Sequence, residues 1–120
     1  MVLCISDLLD GLLNSGQLQR FNLQVDPRSM VRGYISATLI FNDDSELHFR
    51  EFLDLTQPEP KLMYAYHYQD VSSNLIFRYD NAPHRPLLAQ PEHKHIATQI
   101  ILAAAPTLDK VLDEILAIIT

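Results

Sequence analysis

The sequence predicts an α+β domain: an antiparallel β-meander of about five strands, with a short N-terminal helix and a C-terminal helix packed on one face. Three observations carry this expectation. Apolar and polar residues alternate, the period of a strand, in stretches that begin near Gln17, Gly33, Glu46 and Tyr64. Turn-forming clusters punctuate them, among them Asn42-Asp43-Asp44-Ser45 and Val71-Ser72-Ser73-Asn74. The pattern then changes to helical spacing at Leu108, Val111, Leu112, Ile115, Leu116 and Ile119.

Each element has its own signal. Ser6, followed by Asp7-Leu8-Leu9-Asp10 and Leu12-Leu13, reads as a capped amphipathic helix that stops near Asn14-Ser15-Gly16. From Gln17 to Val25 the residues Phe21, Leu23 and Val25 share one face of a strand, and Asp26-Pro27 ends it. Gly33 to Phe41 repeats the pattern with Ile35, Ala37, Leu39 and Phe41. Glu46 to Leu55 returns as a third strand with Leu47 and Phe49 on one face, and Gln57-Pro58-Glu59-Pro60 breaks it because proline donates nothing to a ladder.

The next hairpin can be given a register. A turn at Val71-Ser72-Ser73-Asn74 sets Tyr66 opposite Tyr79, His67 opposite Arg78 and Tyr68 opposite Phe77. One face then carries Tyr64, Tyr66, Tyr68, Phe77 and Tyr79, and the other Ala65, His67, Gln69, Ile76, Arg78 and Asp80. A one-residue slip would exchange the faces. Pro83 and Pro86 then interrupt regular structure, so Asn81 to Pro91 reads as an ordered loop across the sheet edge. Ile96, Ile100 and Ile101 close the core as a short strand or ladder segment, and Thr107 caps the last helix, the longer of the two. Its wide apolar stripe suits the sheet or a homodimer interface.

A chain of 120 residues with 48% hydrophobic composition holds one core, so residues 1–120 are expected to form a single domain. No apolar run approaches the length of a membrane span and no basic leader precedes a short apolar stretch, which points to a soluble cytoplasmic protein. Cys4 is the single cysteine, so no internal disulfide forms, and the thiol reads as buried or near-terminal. The net charge of −6 argues against broad electrostatic capture of nucleic acid but leaves room for a local basic patch, from Arg28 and Arg32 or from Arg78, Arg85 and Lys94.

Chemistry-bearing residues concentrate between Tyr66 and His95, where four of the five histidines fall. In order they are Tyr66-His67-Tyr68-Gln69-Asp70, Leu75-Ile76-Phe77-Arg78-Tyr79-Asp80-Asn81-Ala82-Pro83-His84, and His93-Lys94-His95. This ordered set resembles the signature of TumE-type proteins, the toxin components of bacterial and archaeal toxin–antitoxin pairs. The chain departs from the family's usual pattern at Arg85 and Glu92, where family members commonly carry histidine. The resemblance implies a toxin of a type II pair, with a helix-turn-helix antitoxin as its cognate partner.

One chemistry these residues could perform is metal-free cleavage of RNA. His67 or His84 would take the proton of a 2′-hydroxyl, His93 or His95 would protonate the leaving oxygen, and Arg78 would face the phosphate. Asp80 would orient an imidazole and fix its tautomer, and the neighbouring tyrosines could stack bases. A metal site from His93 and His95 with His84 or Asp80 is a weaker reading, because the sequence constrains only two ligands, and neither a metal nor any other cofactor is expected. The plainest alternative is structural: His67, Arg78 and Asp80 form a hydrogen-bonded cluster on the solvent side of a hairpin, Asn81 to His84 staples a loop, and the protein is a non-enzymatic binding module. His48, alone among polar neighbours, reads as a surface residue.

Overall fold

The computed structural model describes residues 2–58, 61–81, 93–96, 99–102 and 106–119, and among these the side chains of 2–4, 93 and 99–102 are not described. Helix α1 (Val2–Asn14) leads into strands β1 (Leu18–Pro27), β2 (Arg32–Phe41), β3 (Glu46–Asp54), β4 (Lys61–Gln69) and β5 (Leu75–Asp80). Two four-residue strands follow, β6 (His93–Ile96) and β7 (Gln99–Leu102), then helix α2 (Leu108–Ile119). All seven strands join one sheet in chain order, each antiparallel to the next. The expected α+β meander is therefore the fold, with seven strands in place of about five.

The first hairpins follow from their turns. Phe41 N–H donates to the Ser45 carbonyl and Asp44 N–H to the Phe41 carbonyl, closing the β2–β3 turn, with Asp44 in the left-handed region at φ 65°. At the β4–β5 turn the Asp70 carboxylate accepts from the Ser72 and Asn74 amides at 2.9 Å each, an arrangement that holds the carboxyl below its ordinary pKa. Asp70 is thus committed to a turn. The register between β4 and β5 is the one the sequence dictates: Tyr66 opposite Tyr79, His67 opposite Arg78 and Tyr68 opposite Phe77.

Among the described residues, strand alternation produces one helix-covered face and one bare face. Leu39, Leu47, Tyr68 and Phe77 lie in successive register across β2 to β5 and are all buried, as are Ala37, Phe49 and Tyr66 in the next row. Leu9 and Leu12 of α1 and Leu108, Val111, Leu112 and Ile115 of α2 pack into the same core, so both helices cover the same side. Inside it, Tyr66 donates to the buried Glu51 carboxylate, and Lys61 pairs with Glu51 at 3.2 Å while donating to the Pro106 carbonyl at 3.0 Å. That cluster ties β3 and β4 to the segment entering α2. Burial, joined by the Glu51 charge, drives the Tyr66 phenol far above its ordinary pKa and keeps it a donor.

Four expectations are corrected. Helix α1 starts at Val2, so Ser6 lies within it and does not cap it, and its 13 residues match the 12 of α2 instead of falling short. In place of the one short strand or ladder segment expected around Ile96, Ile100 and Ile101, two strands form, β6 over His93–Ile96 and β7 over Gln99–Leu102, each too short to show alternation in the sequence. Ile76 packs against the core, not on the polar face, because a bulge shifts register between Tyr68 and Gln69. Lys94 reaches the helix side, where it pairs with Glu114 at 2.7 Å and sits over the Tyr79 ring, so it does not join Arg78 in a patch. The loop expected over Asn81 to Pro91 lies outside the described residues after Asn81, and so does the Cys4 side chain. Among the described residues no helix is long and apolar enough to cross a membrane.

Leu39 of β2 is fully buried in the core beneath the helices, so Leu39→Ala should cost about 3 kcal/mol of stability through lost transfer energy and a residual cavity. Urea unfolding checks this as a lowered midpoint with an unchanged slope.

Candidate functional site

The bare face is built by register alone. Asn22, Thr38, His48, His67, Arg78 and His95 are successive cross-strand partners from β1 to β6. A second row runs Gln24, Ser36, Arg50, Ala65, Asp80 and His93. Residues in such rows share a face because every one stands at the same phase of the pleat. The two helices occupy the other side, so these side chains line an open trough of about 470 Å³ bordered by Asn22, Gln24, Ser36, Thr38, His48, Arg50, His67 and Arg78.

Hydrogen bonds and one ion-pair contact connect the row from Thr38 to His95. Thr38 Oγ1 lies 3.1 Å from His48 Nδ1, and His48 Nε2 lies 3.1 Å from Glu46 Oε2. Gln69 Nε2 donates to the same Glu46 oxygen at 3.3 Å, and its Oε1 lies 3.1 Å from His67 Nε2. His67 Nδ1 lies 3.4 Å from an Arg78 guanidinium nitrogen. Arg78 Nε donates to Asp80 Oδ2 at 2.8 Å, and that oxygen is 3.5 Å from His95 Nε2.

These partners fix the His67 tautomer. The guanidinium only donates and the amide oxygen only accepts, so His67 carries its proton on Nε2 and its lone pair on Nδ1. Burial first, then the charges of Arg78 and His48, hold the imidazole below the ordinary histidine pKa against the opposing Gln69 hydrogen bond. His67 is therefore a neutral imidazole near pH 7, with a basic nitrogen beside a cation. Arg78 is half-buried and Asp80 only 5% exposed, so the guanidinium is fixed in place. Arg50, in contrast, is exposed, and among the described residues it has no hydrogen-bond or ion-pair partner.

Of the residues singled out from the sequence, the structure brings His67, Arg78, Asp80 and His95 together. His93 takes the register position opposite Asp80, with its side chain outside the described residues. His84 and Arg85 lie outside them altogether. Among the described residues no group of three or more His, Cys, Asp and Glu side chains is arranged to hold a metal ion. Asn81 is a staple, as the structural reading expected: its Oδ1 accepts from the Tyr64 amide at 3.2 Å and its Nδ2 donates to the Leu62 carbonyl at 2.8 Å. The other sequence-derived patch does not form, since Arg28 pairs with Asp26 and Arg32 with Asp54.

His48 and Arg50 are the residues the sequence reading missed. His48 is not an isolated surface histidine, because β3 sets it opposite His67, ring centroids 6.5 Å apart. Extending the alternation from Leu47 and Phe49 would have put His48 and Arg50 together on the bare face. The missing step was the β3–β4 register, which no compact turn announces.

A meander sheathed by helices on one side and lined with histidine and arginine on the other defines an α+β protein with one core-forming and one polar sheet face. The chain belongs to the family described as Toxin TumE, whose sequence profile matches residues 8–120. By that family it is a toxin. No curated protein and no solved structure was found to match it.

The His67 shift makes stability depend on pH. Its folded pKa is depressed, so its contribution is complete above the unfolded value of 6.5 and is lost as pH falls from there through the folded pKa. His67→Gln should therefore flatten the fall in melting temperature below pH 6.5, checked by thermal melts of both proteins across pH 5 to 7.5.

Proposed function

We propose that this protein is the toxin of a two-gene toxin–antitoxin pair, held in check by a helix-turn-helix antitoxin, and that it cleaves RNA on its bare sheet face. The observation that carries the reading is the row His67, Arg78 and His95, adjacent on three neighbouring strands, with Asp80 bonded to the last two. His67 Nδ1 takes the proton of a ribose 2′-hydroxyl, whose oxygen bonds to phosphorus as the bond to the 5′ oxygen breaks. His95 gives its proton to that leaving oxygen. Arg78 neutralises the charge that gathers on the non-bridging oxygens, from a position already fixed by Asp80. The products are a 2′,3′-cyclic phosphate and a 5′-hydroxyl, and no metal takes part.

The continuity of the hydrogen-bond network favours a second reading. Every imidazole described in it has a protein partner, which is also how a non-enzymatic binding face would be stiffened. The two readings differ in what the histidines are needed for.

Induced expression should arrest growth and leave transcripts ending in cyclic phosphates, and co-expression of the neighbouring antitoxin should relieve both. His67→Ala should lower the cleavage rate by about 100-fold or more, the usual worth of a general base. Its melting temperature should stay close to the parent's. In the parent, cleavage should rise with pH along a limb below 6.5, where the depressed His67 deprotonates. Growth arrest that persists in His67→Ala and Arg78→Ala, with intact RNA, would establish the binding module instead.

A further inference from the structure

Beside the polar rows lies a third row of different character. Tyr34, Phe52 and Met63 are cross-strand partners on β2, β3 and β4, next along the same face from Ser36, Arg50 and Ala65. A bulge extends it. Phe52 pairs with Met63 and Leu53 with Lys61, so Leu62 is an extra residue without a cross-strand partner. Leu62 and Met63 are consequently both turned toward the bare face and left 41% and 64% exposed. With Tyr34 and Phe52 they border a second trough of about 420 Å³. Arg50 and Arg78 line both troughs, so two cations stand where the polar and apolar spaces meet.

Both helices cover the opposite side, so these apolar groups are not left over from the core. An aromatic pair and two apolar side chains beside two arginines suit a ligand with a flat apolar face and an adjoining negative charge. A nucleobase joined to its phosphate has that form, and base stacking on aromatic rings with phosphate capture by arginine is how unpaired nucleic acid is held. We propose that the apolar trough is a base-binding subsite in which one unpaired base stacks on Phe52 and Tyr34, while its phosphate lies between Arg50 and Arg78. This rests on the reading of the bare face as an RNA site and adds the substrate class: single-stranded RNA. In a duplex both faces of each base are covered by its neighbours, so a base enters only where the strand is unpaired.

The test uses the full chain carrying His67→Ala, to prevent cleavage, and a short fluorescent single-stranded RNA. Phe52→Ala in that background should weaken binding by about fivefold to 100-fold, the worth of one stacked base. Met63→Ser, at an exposed position that the fold does not need, should weaken it in the same direction. An RNA with one abasic nucleotide, moved along the strand, should lose a comparable factor at one position and lose nothing more when Phe52→Ala is added. The same sequence as a duplex should bind more weakly than the single strand. Tight binding unaffected by either substitution or by any abasic position would overturn the subsite while leaving the RNA site standing. An absence of RNA binding by the His67→Ala chain would remove both. Unaltered RNA binding, with loss of antitoxin binding in Met63→Ser, would assign the apolar trough to the protein partner.

Discussion

One-sided cover governs this molecule. A seven-stranded sheet has two faces, and the two helices among the described residues are both consumed by the side that carries Leu39, Tyr66, Tyr68 and Phe77. Helices attached at the two ends of a meander can bury that side against one continuous core of aliphatic and aromatic side chains. The other side must then be compatible with water, and strand alternation fills it with Thr, His, Arg, Gln and Asp. The candidate site is thus the complement of the core: each strand residue that packs under a helix fixes its neighbours on the bare face.

The exposed carboxylates of Asp7, Asp10, Asp109 and Asp113 sit on the two helices, whereas Arg50 and Arg78 stand in the troughs on the opposite side. A net charge of −6 is therefore compatible with a local site for an anion. The surface as a whole repels polyanions, whereas a strand that reaches the bare face meets Arg50 and Arg78 at close range. Such a molecule would take nucleic acid by local contact and not by long-range attraction, which suits an unpaired segment better than a stiff duplex.

What could be read from the sequence depended on how sharply each turn was written. Asp70 to Asn74 is a self-sufficient turn, so the pairing of His67 with Arg78, and the division of faces around it, followed from spacing alone. The β3–β4 connection has no comparable signature, and it also contains a bulge at Leu62, so nothing local disclosed that His48 would stand opposite His67. Strands β6 and β7 have four residues each, too few for alternation to register, and they form because β5 offers an open edge. Lys94 looked like a companion of Arg78 because both are cations near histidines. Its phase on β6 is opposite to that of His95, and phase sends it to Glu114 on the helix side. The candidate site was legible within one hairpin and illegible across hairpins, because a register between hairpins is settled by the packing of the whole sheet.

The two arginines that line both troughs differ in a way that bears on binding. Arg78 is half-buried, bonded to Asp80 and next to His67, so its side-chain entropy is already spent on folding. A phosphate arriving there finds a donor in place, but it must compete with a carboxylate for it. Arg50 is exposed and has no ion-pair partner among the described residues, so binding costs it rotamer freedom without displacing a carboxylate described there. The fixed cation supplies direction and the free one supplies net attraction. Their shared position between the polar and apolar troughs makes the phosphate the hinge of any nucleotide bound here, with sugar and imidazoles to one side and the base to the other.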